Sequence, residues 1–365
     1  MTTTTLLPPE IARPDVIDAP GVRRKPTPAR RSSRSELGRA LLVVTAVFIV
    51  LEIFTRTFLF RASKDFSQFL AFPHRSAVLV DQPGTRIAFV GNSLTREGID
   101  PQIFSQTLSE HVDGVVAADV FAADASKINV WYYLMNRYFW RPERSPDLFI
   151  VSYYENNLLD GNSIEIGRFA QFFVERQDWP EVFSHDVTSF GQRMEFLLSS
   201  GWATFAARDR IKERVLSLLV PHYQELTLQT NEIQRQQRSS SLGTTTHKAV
   251  THDMLKRFLA RANEHRSKIV FVAFPTIIPG RDRPYQPYEL DSETTRLIRE
   301  AGMQFVDLRQ VPELTPDMYA DDIHLNAIGR PIFSHHLATA LSAIVKQDSA
   351  MTQQPTSTQH LGSVP

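Results

Sequence analysis

The sequence predicts an α/β fold in which a mostly parallel sheet is covered by helices on both faces. Two observations point there. Short apolar, β-branched runs alternate along the chain with segments whose apolar residues recur at helical spacing, the order that builds parallel sheets. Small polar residues, amides and carboxylates fall directly after several of those runs, where the carboxyl ends of the strands gather ligands in open α/β sheets. At 365 residues the chain is long enough for a substantial core.

The first predicted strand is Arg86-Ile87-Ala88-Phe89-Val90, which ends in the turn Gly91-Asn92-Ser93-Leu94-Thr95. Ile99-Asp100-Pro101 then opens a helix over 102–108, since proline is tolerated in a first turn. A second buried strand covers Val115 to Phe121. Lys127 to Phe139 is helical, with Ile128, Tyr132 and Met135 on one side. The aromatic group from Trp131 to Trp140 is expected to pack in the core. Asp147 to Ser152 is the third strand and runs into Tyr153-Tyr154-Glu155-Asn156-Asn157.

Residues 164–250 read as a helical insertion, exemplified by Trp202 to Leu219, that closes in a polar loop over 235–248. The regular pattern then resumes. A helix over 252–262 precedes the strand Lys268 to Phe274, and a helix over 292–301 precedes the strand Gln304 to Leu308. A final helix follows Asn326. From Gln347 to the last residue the chain is polar and expected to be a loose tail.

The amino-terminal region is different in kind. Residues 1–38 place Arg13, Arg23, Arg24, Lys25, Arg30, Arg31 and Arg34 among prolines, serines and threonines, a composition expected to be disordered. The uncharged run Ala40 to Leu51 follows. A span over 39–60 lets Arg39 reach one membrane surface and Glu52 pair with Arg56 near the other. No small-x-small cleavage site follows, so an uncleaved anchor is expected. The arginine excess then places the N-terminus in the cytoplasm and the rest of the chain outside the cytoplasmic membrane, in an extracytoplasmic or periplasmic space. The alternative is an amphipathic helix packed on the domain. Residues 61–84 read as a linker to a domain over 85–346.

Composition narrows the chemistry. Forty basic and forty acidic residues cancel, which gives no basis for a nucleic-acid partner. The absence of cysteine removes disulfides, thiol catalysis and zinc-thiolate sites. No phosphate-cradling glycine loop occurs. His335-His336 lacks carboxylates at ligand spacing, so neither a metal nor a cofactor is expected.

What remains is a candidate serine site. An aspartate three residues before a histidine, as in Asp321-Asp322-Ile323-His324, can accept the imidazole Nδ1 proton and leave Nε2 to take a proton from a serine hydroxyl. Asp322 competes with Asp321 for that contact. Ser93, after the first strand, is the candidate nucleophile, because a serine is weak at neutral pH without such a base. The amide of Asn156 or of Asn157 is the candidate oxyanion donor, worth about 3 kcal/mol to a transition state.

With these residues in place, the chain resembles the SGNH or GDSL-like hydrolase superfamily. Residues 91–95, GNSLT, resemble its first block, with Ser93 as nucleophile. Residues 122–126, AADAS, resemble the second, with Ala123 where a glycine amide helps form the oxyanion hole. Residues 155–157, ENN, resemble the third, with Asn156 as donor. DDIH at 321–324 matches the last, giving Asp321 and His324. Asn92 stands where the family has aspartate, a change expected to matter little.

The resemblance implies a flavodoxin-like three-layer sandwich, and an oxyanion hole made from the Ser93 and Ala123 amides with the Asn156 side chain. The stretch GNSLTREGIDPQIF also resembles anchored proteins of this superfamily that act beside membrane-bound O-acyltransferases. That implies an esterase or O-acyltransferase, O-acetyl transfer being the foremost case, which passes an acyl group from a donor to a glycan at the cell surface. The alternative is a noncatalytic assembly or glycan-binding protein of a polysaccharide system.

Overall fold

The computed structural model of the chain describes residues 33–160, 164–223, 251–277 and 288–352. The tail over 1–32, the polar loop over 235–248 and residues 353–365 lie outside the described residues. The chain divides into two units between Val50 and Leu51.

In the first unit, residues 33–50 lie on helix α1 (Ser33–Phe54), where Leu41, Leu42, Val47 and Ile49 are exposed. The stretch Glu36–Ala62 is long and apolar enough to cross a membrane, and none of its apolar window is buried in protein. The predicted pairing of Glu52 with Arg56 forms, at 2.7 Å.

The second unit holds a five-stranded sheet in the order β2-β1-β3-β4-β5. Its strands are β1 (Thr85–Gly91), β2 (Val116–Ala122), β3 (Leu148–Tyr153), β4 (Ile269–Ala273) and β5 (Gln304–Asp307). Every pairing is parallel. All five predicted strands are present within a residue or two of their expected ends. This is the flavodoxin-like order, whose direction of winding reverses between β1 and β3.

Period-2 alternation sorts the side chains onto two faces. Ile87, Phe89, Ile150 and Val272 join one core cluster with Phe104 and Leu108 of α4 (Pro101–His111) and Leu337 and Leu341 of α8 (Gly329–Thr352). Ala88, Val90, Val151 and Phe271 join the other, with Trp131 of α5 (Ile128–Met135), Phe258 of α6 (Asp253–Glu264) and Ile298 of α7 (Ser292–Glu300). The aromatic group is in that core as expected: Trp131, Tyr133, Phe139 and Trp140 have no exposed surface. Helix α8 continues to Thr352, beyond the predicted start of a loose tail at 347.

The segment 61–84 departs most from expectation. It is not a linker: α2 (Lys64–Val80) occupies most of it and lies against the sheet. Phe66, Phe69 and Phe72, at i, i+3 and i+6, are buried in the second cluster. Their rings stack edge-on or tilted with Phe172, Phe173, Phe121 and Tyr138. Arg75 fastens the helix to β2 through the Asp119 carboxylate and the Val120 carbonyl. An aromatic stripe at helical spacing is core-forming even when interrupted by Lys64, Asp65 and His74.

The described part of the insertion is helical, as predicted. It includes Trp179–His185, Phe190–Gly201, Ala203–Ala206 and Arg208–Leu219, and no strand occurs among its described residues. Glu52 caps its third helix, accepting hydrogen bonds from the Ala203 and Thr204 amides at 2.9 and 3.0 Å.

Candidate active site

The turn after β1 is shaped by close approach. A Cβ at Gly91 would collide with Thr95 Oγ1 and press on the Ser152 carbonyl, so only glycine fits. Asn92 then caps the short helix α3 (Ser93–Gly98), its Oδ1 accepting from the Leu94 amide at 3.0 Å. Ser93 therefore opens the helix at the carboxyl end of the sheet, partly exposed, beside the point where the strand order reverses.

The other end of the chain delivers the base. Asp321 Oδ1 accepts from the Ile323 and His324 amides, both at 2.9 Å, which winds residues 321–324 into a tight turn. The bridge between Tyr319 and Leu325 closes that turn. Asn326 caps the start of α8 through the Ile328 and Gly329 amides. Helix α8 holds the turn against the sheet, because Arg330 donates to the Ile99 carbonyl, just past α3, at 2.8 and 3.0 Å.

Ser93 and His324, distant in sequence, meet here. Asp321 Oδ2 lies 2.8 Å from His324 Nδ1, and His324 Nε2 lies 2.8 Å from Ser93 Oγ. An ionised carboxylate only accepts, so Nδ1 carries the proton and Nε2 accepts from the serine hydroxyl. Asp322 does not compete, because both carboxylate contacts to Nδ1 come from Asp321.

Burial pushes the Asp321 carboxyl up, but hydrogen bonds from the Ile323 amide and from the imidazole and amide of His324 outweigh it, leaving Asp321 below the ordinary carboxylate range. Asp321 thus stays charged through the neutral and mildly acidic range. A depressed carboxylate stabilises the fold above its unfolded pKa and loses that contribution as pH falls through the folded value. The stability advantage of the wild type over Asp321→Asn, read from urea midpoints, is therefore expected to begin shrinking as pH drops below about 4 and to be lost as it falls through the lower folded value. A gap that persists undiminished well below about pH 4 contradicts this assignment.

The loop after β3 separates the two asparagines. Asn157 is buried, and its Oδ1 accepts from the Tyr154 amide at 3.0 Å and from Asn92 Nδ2 at 3.2 Å. Asn156 is exposed, and its Oδ1 accepts from Lys127 Nζ at 3.0 Å. With the carbonyl end of Asn156 occupied, its Nδ2 is the end that can donate. Asn157 is therefore part of the framework, and Asn156 stands at the surface of the same loop.

Two expectations change. The Ala123 amide is not available to an oxyanion, because it donates to the Gly91 carbonyl at 3.0 Å and extends the β1–β2 ladder by one bond. Two residues on, Ala125 has a positive φ of 50°, and its amide donates to no acceptor among the described residues. Asn92, expected to be a neutral replacement, is a cross-link. Its Nδ2 donates to Asn157 Oδ1 at 3.2 Å and to the Ser126 carbonyl at 3.4 Å, tying together the three loops that carry the site.

An aspartate at position 92 cannot donate and sets a carboxylate against two acceptors. Asn92→Asp is expected to cost about 1–3 kcal/mol, seen as a melting point lower by a few degrees. An unchanged melting point contradicts the cross-link.

His335 and His336 are not drawn into a site. His335 Nδ1 lies 3.2 Å from Thr107 Oγ1, and His336 lies 3.4 Å from Glu313. No group of side chains suited to a metal ion occurs among the described residues.

Neither a family model nor a curated protein matches the chain. Among solved structures it is similar to a lipase/acylhydrolase from Enterococcus faecalis, at 11% identity and a TM-score of 0.37, over 72% of this chain and 97% of that one. It is also similar to the acetyl xylan esterase AlAXEase, at 12% identity and a TM-score of 0.32, over 71% and 98%. An acetyl-xylooligosaccharide esterase from Geobacillus stearmophilus is likewise 12% identical at a TM-score of 0.33, over 72% and 94%. At these TM-scores the reading of the site rests on its own geometry.

Proposed function

We propose that the chain is a membrane-anchored serine esterase or O-acyltransferase of the SGNH type, acting on cell-surface or secreted polysaccharide through an acyl-Ser93 intermediate. One observation carries the reading: the continuous relay from Asp321 through His324 to the Ser93 hydroxyl, each link 2.8 Å long.

In this mechanism Ser93 Oγ attacks an ester carbonyl while His324 Nε2 takes its proton, and the carbonyl oxygen becomes an oxyanion. Asn156 Nδ2 and the backbone amides of Ser93 and Ala125 are the donors proposed to receive that charge. Collapse of the intermediate breaks the ester bond, and His324 returns the proton to the departing alcohol. Water or a sugar hydroxyl then repeats the sequence in reverse, giving its proton to His324 and leaving with the acyl group. Asp321 holds the imidazole in the required tautomer throughout.

The anchor supports a substrate in the envelope. A basic segment before Glu36–Ala62 fits a cytoplasmic N-terminus with the catalytic unit outside. A membrane-bound O-acyltransferase is the proposed source of acyl groups, and O-acetyl transfer to a glycan the proposed outcome.

The test has two stages. A fluorophosphonate is expected to label the wild type at Ser93, and absence of labelling across pH 6–9 favours a noncatalytic glycan-binding or assembly role. With an acetyl donor and an oligosaccharide acceptor, acetylated sugar in excess of free acetate identifies a transferase; free acetate alone identifies an esterase.

A further inference from the structure

Three arginines gather around one carboxylate behind the serine helix. Asp65, near the start of α2, lies 2.6 Å from Arg210, 3.5 Å from Arg168 and 3.7 Å from Arg96. The Arg168 side chain is only 8% exposed. Exposed ion pairs contribute little, whereas a buried charge deprived of its partner is costly. Two of these arginines reach the same loop. Arg168 Nη2 donates to the Asp124 backbone carbonyl at 2.8 Å, and Arg96 Nη2 lies 2.6 Å from the Asp124 carboxylate.

The carbonyl contact sets a direction. The Asp124 C=O and the Ala125 N–H belong to one planar trans peptide and point opposite ways. A guanidinium that grips the oxygen from the insertion side aims the amide hydrogen away from the insertion. The left-handed conformation of Ala125 is strained for a non-glycine residue and persists only where its surroundings enforce it. Arg168 and Arg96 both hold the preceding residue, Asp124.

We propose that Arg168, held in turn by Glu165 at 2.6 Å and by Asp65 at 3.5 Å, is a positioning residue that orients the Asp124–Ala125 peptide so that its N–H can donate to the oxyanion formed at Ser93. The inference rests on the serine-esterase or transferase reading above. It makes the membrane-proximal helix and the helical insertion working parts of the active site. Arg168 touches no substrate; it acts through the peptide.

The test uses full-length protein in detergent micelles, with p-nitrophenyl acetate and a fluorophosphonate as probes. Arg168→Met is expected to lower kcat by about 10- to 100-fold, less than the 10²–10³ for outright loss of a donor. KM should stay within about threefold and the shape of the pH profile should hold, because serine and histidine are untouched. Fluorophosphonate labelling should slow by the same factor as kcat. Asp65→Asn should show a smaller loss, and Arg168→Lys should recover part of the rate, since an ammonium can still donate to the carbonyl.

Thermal melts run alongside separate positioning from folding. A folded Arg168→Met protein with wild-type kcat overturns the proposal, as does a loss confined to KM with labelling unchanged. Should that variant fail to fold, the double variant Glu165→Gln with Asp65→Asn, which removes both carboxylates from Arg168, decides: wild-type kcat there overturns the proposal, and a slowed kcat at unchanged KM upholds it. A wild type that neither labels nor turns over sinks the serine reading and this role with it, whereas a labelled wild type with unaffected variants sinks the positioning role alone.

Discussion

Ser93→Ala is expected to lower turnover of a small acetyl ester by about 10⁶-fold while the fold is retained. The magnitude follows from the geometry. Ser93 Oγ is the atom poised at His324 Nε2, and removing the nucleophile of such a relay leaves only what the oxyanion donors and substrate binding achieve without it. Retention of the fold follows as well. Among the described residues the Ser93 side chain makes that one hydrogen bond, and alanine has a higher helix propensity than serine.

Because serine and base act as one unit, His324→Ala should cost nearly as much, and the double variant no more than either single one. Ester turnover by purified full-length variants, with circular dichroism as the fold control, measures this. Turnover by Ser93→Ala within tenfold of wild type would refute the assignment, and additive losses in the double variant would show that the two side chains work apart.

How far the site was legible depended on what each residue does. Ser93, Asp321 and His324 were readable because their chemistry constrains spacing: a histidine held by an aspartate within one turn, and a hydroxyl directly after a strand. The strands were readable because β1, β3 and β4 are almost fully buried and hence nearly unbroken apolar runs.

The loop after β2 was less legible for a backbone reason. Ala123 and Ala125 have the same side chain, and only the length of β2 decides which amide completes the ladder and which is left over. Local pattern fixes strand ends no better than to a residue or two, and here two residues separate a spent donor from a free one. Asn92 was misjudged because its role lies in the donor end of its amide, which reaches two other loops. No local pattern announces those partners. The linker reading of 61–84 overlooked a signal that was present, phenylalanines at 66, 69 and 72. Pro73 is accommodated inside the helix.

That helix gives the second large effect. A protein beginning at Thr85, the natural place to cut if 61–84 were a tether, is expected not to fold, whereas one beginning at Leu51 is expected to fold in mild detergent. The longer version keeps Phe66, Phe69, Phe72 and Leu79, each 3% exposed or less. Truncating a single buried phenylalanine to alanine costs about 3–5 kcal/mol and a leucine about 2–5. Removing all four side chains with their backbone is therefore on the order of 10 kcal/mol or more, comparable to the whole stability of an ordinary domain, about 5–15 kcal/mol.

The same cut takes the Phe72 ring from Phe121 and Tyr138 and the Phe69 ring from Phe172, exposing a broad apolar face on the sheet. It also strips Arg168 and Arg210 of Asp65, leaving guanidinium groups facing one another with less compensation. Near-UV circular dichroism and urea titration of the two versions measure the outcome. A cooperative transition and native-like near-UV signal from the version starting at Thr85 would mean that α2 is dispensable, and that the catalytic unit begins at β1 after all.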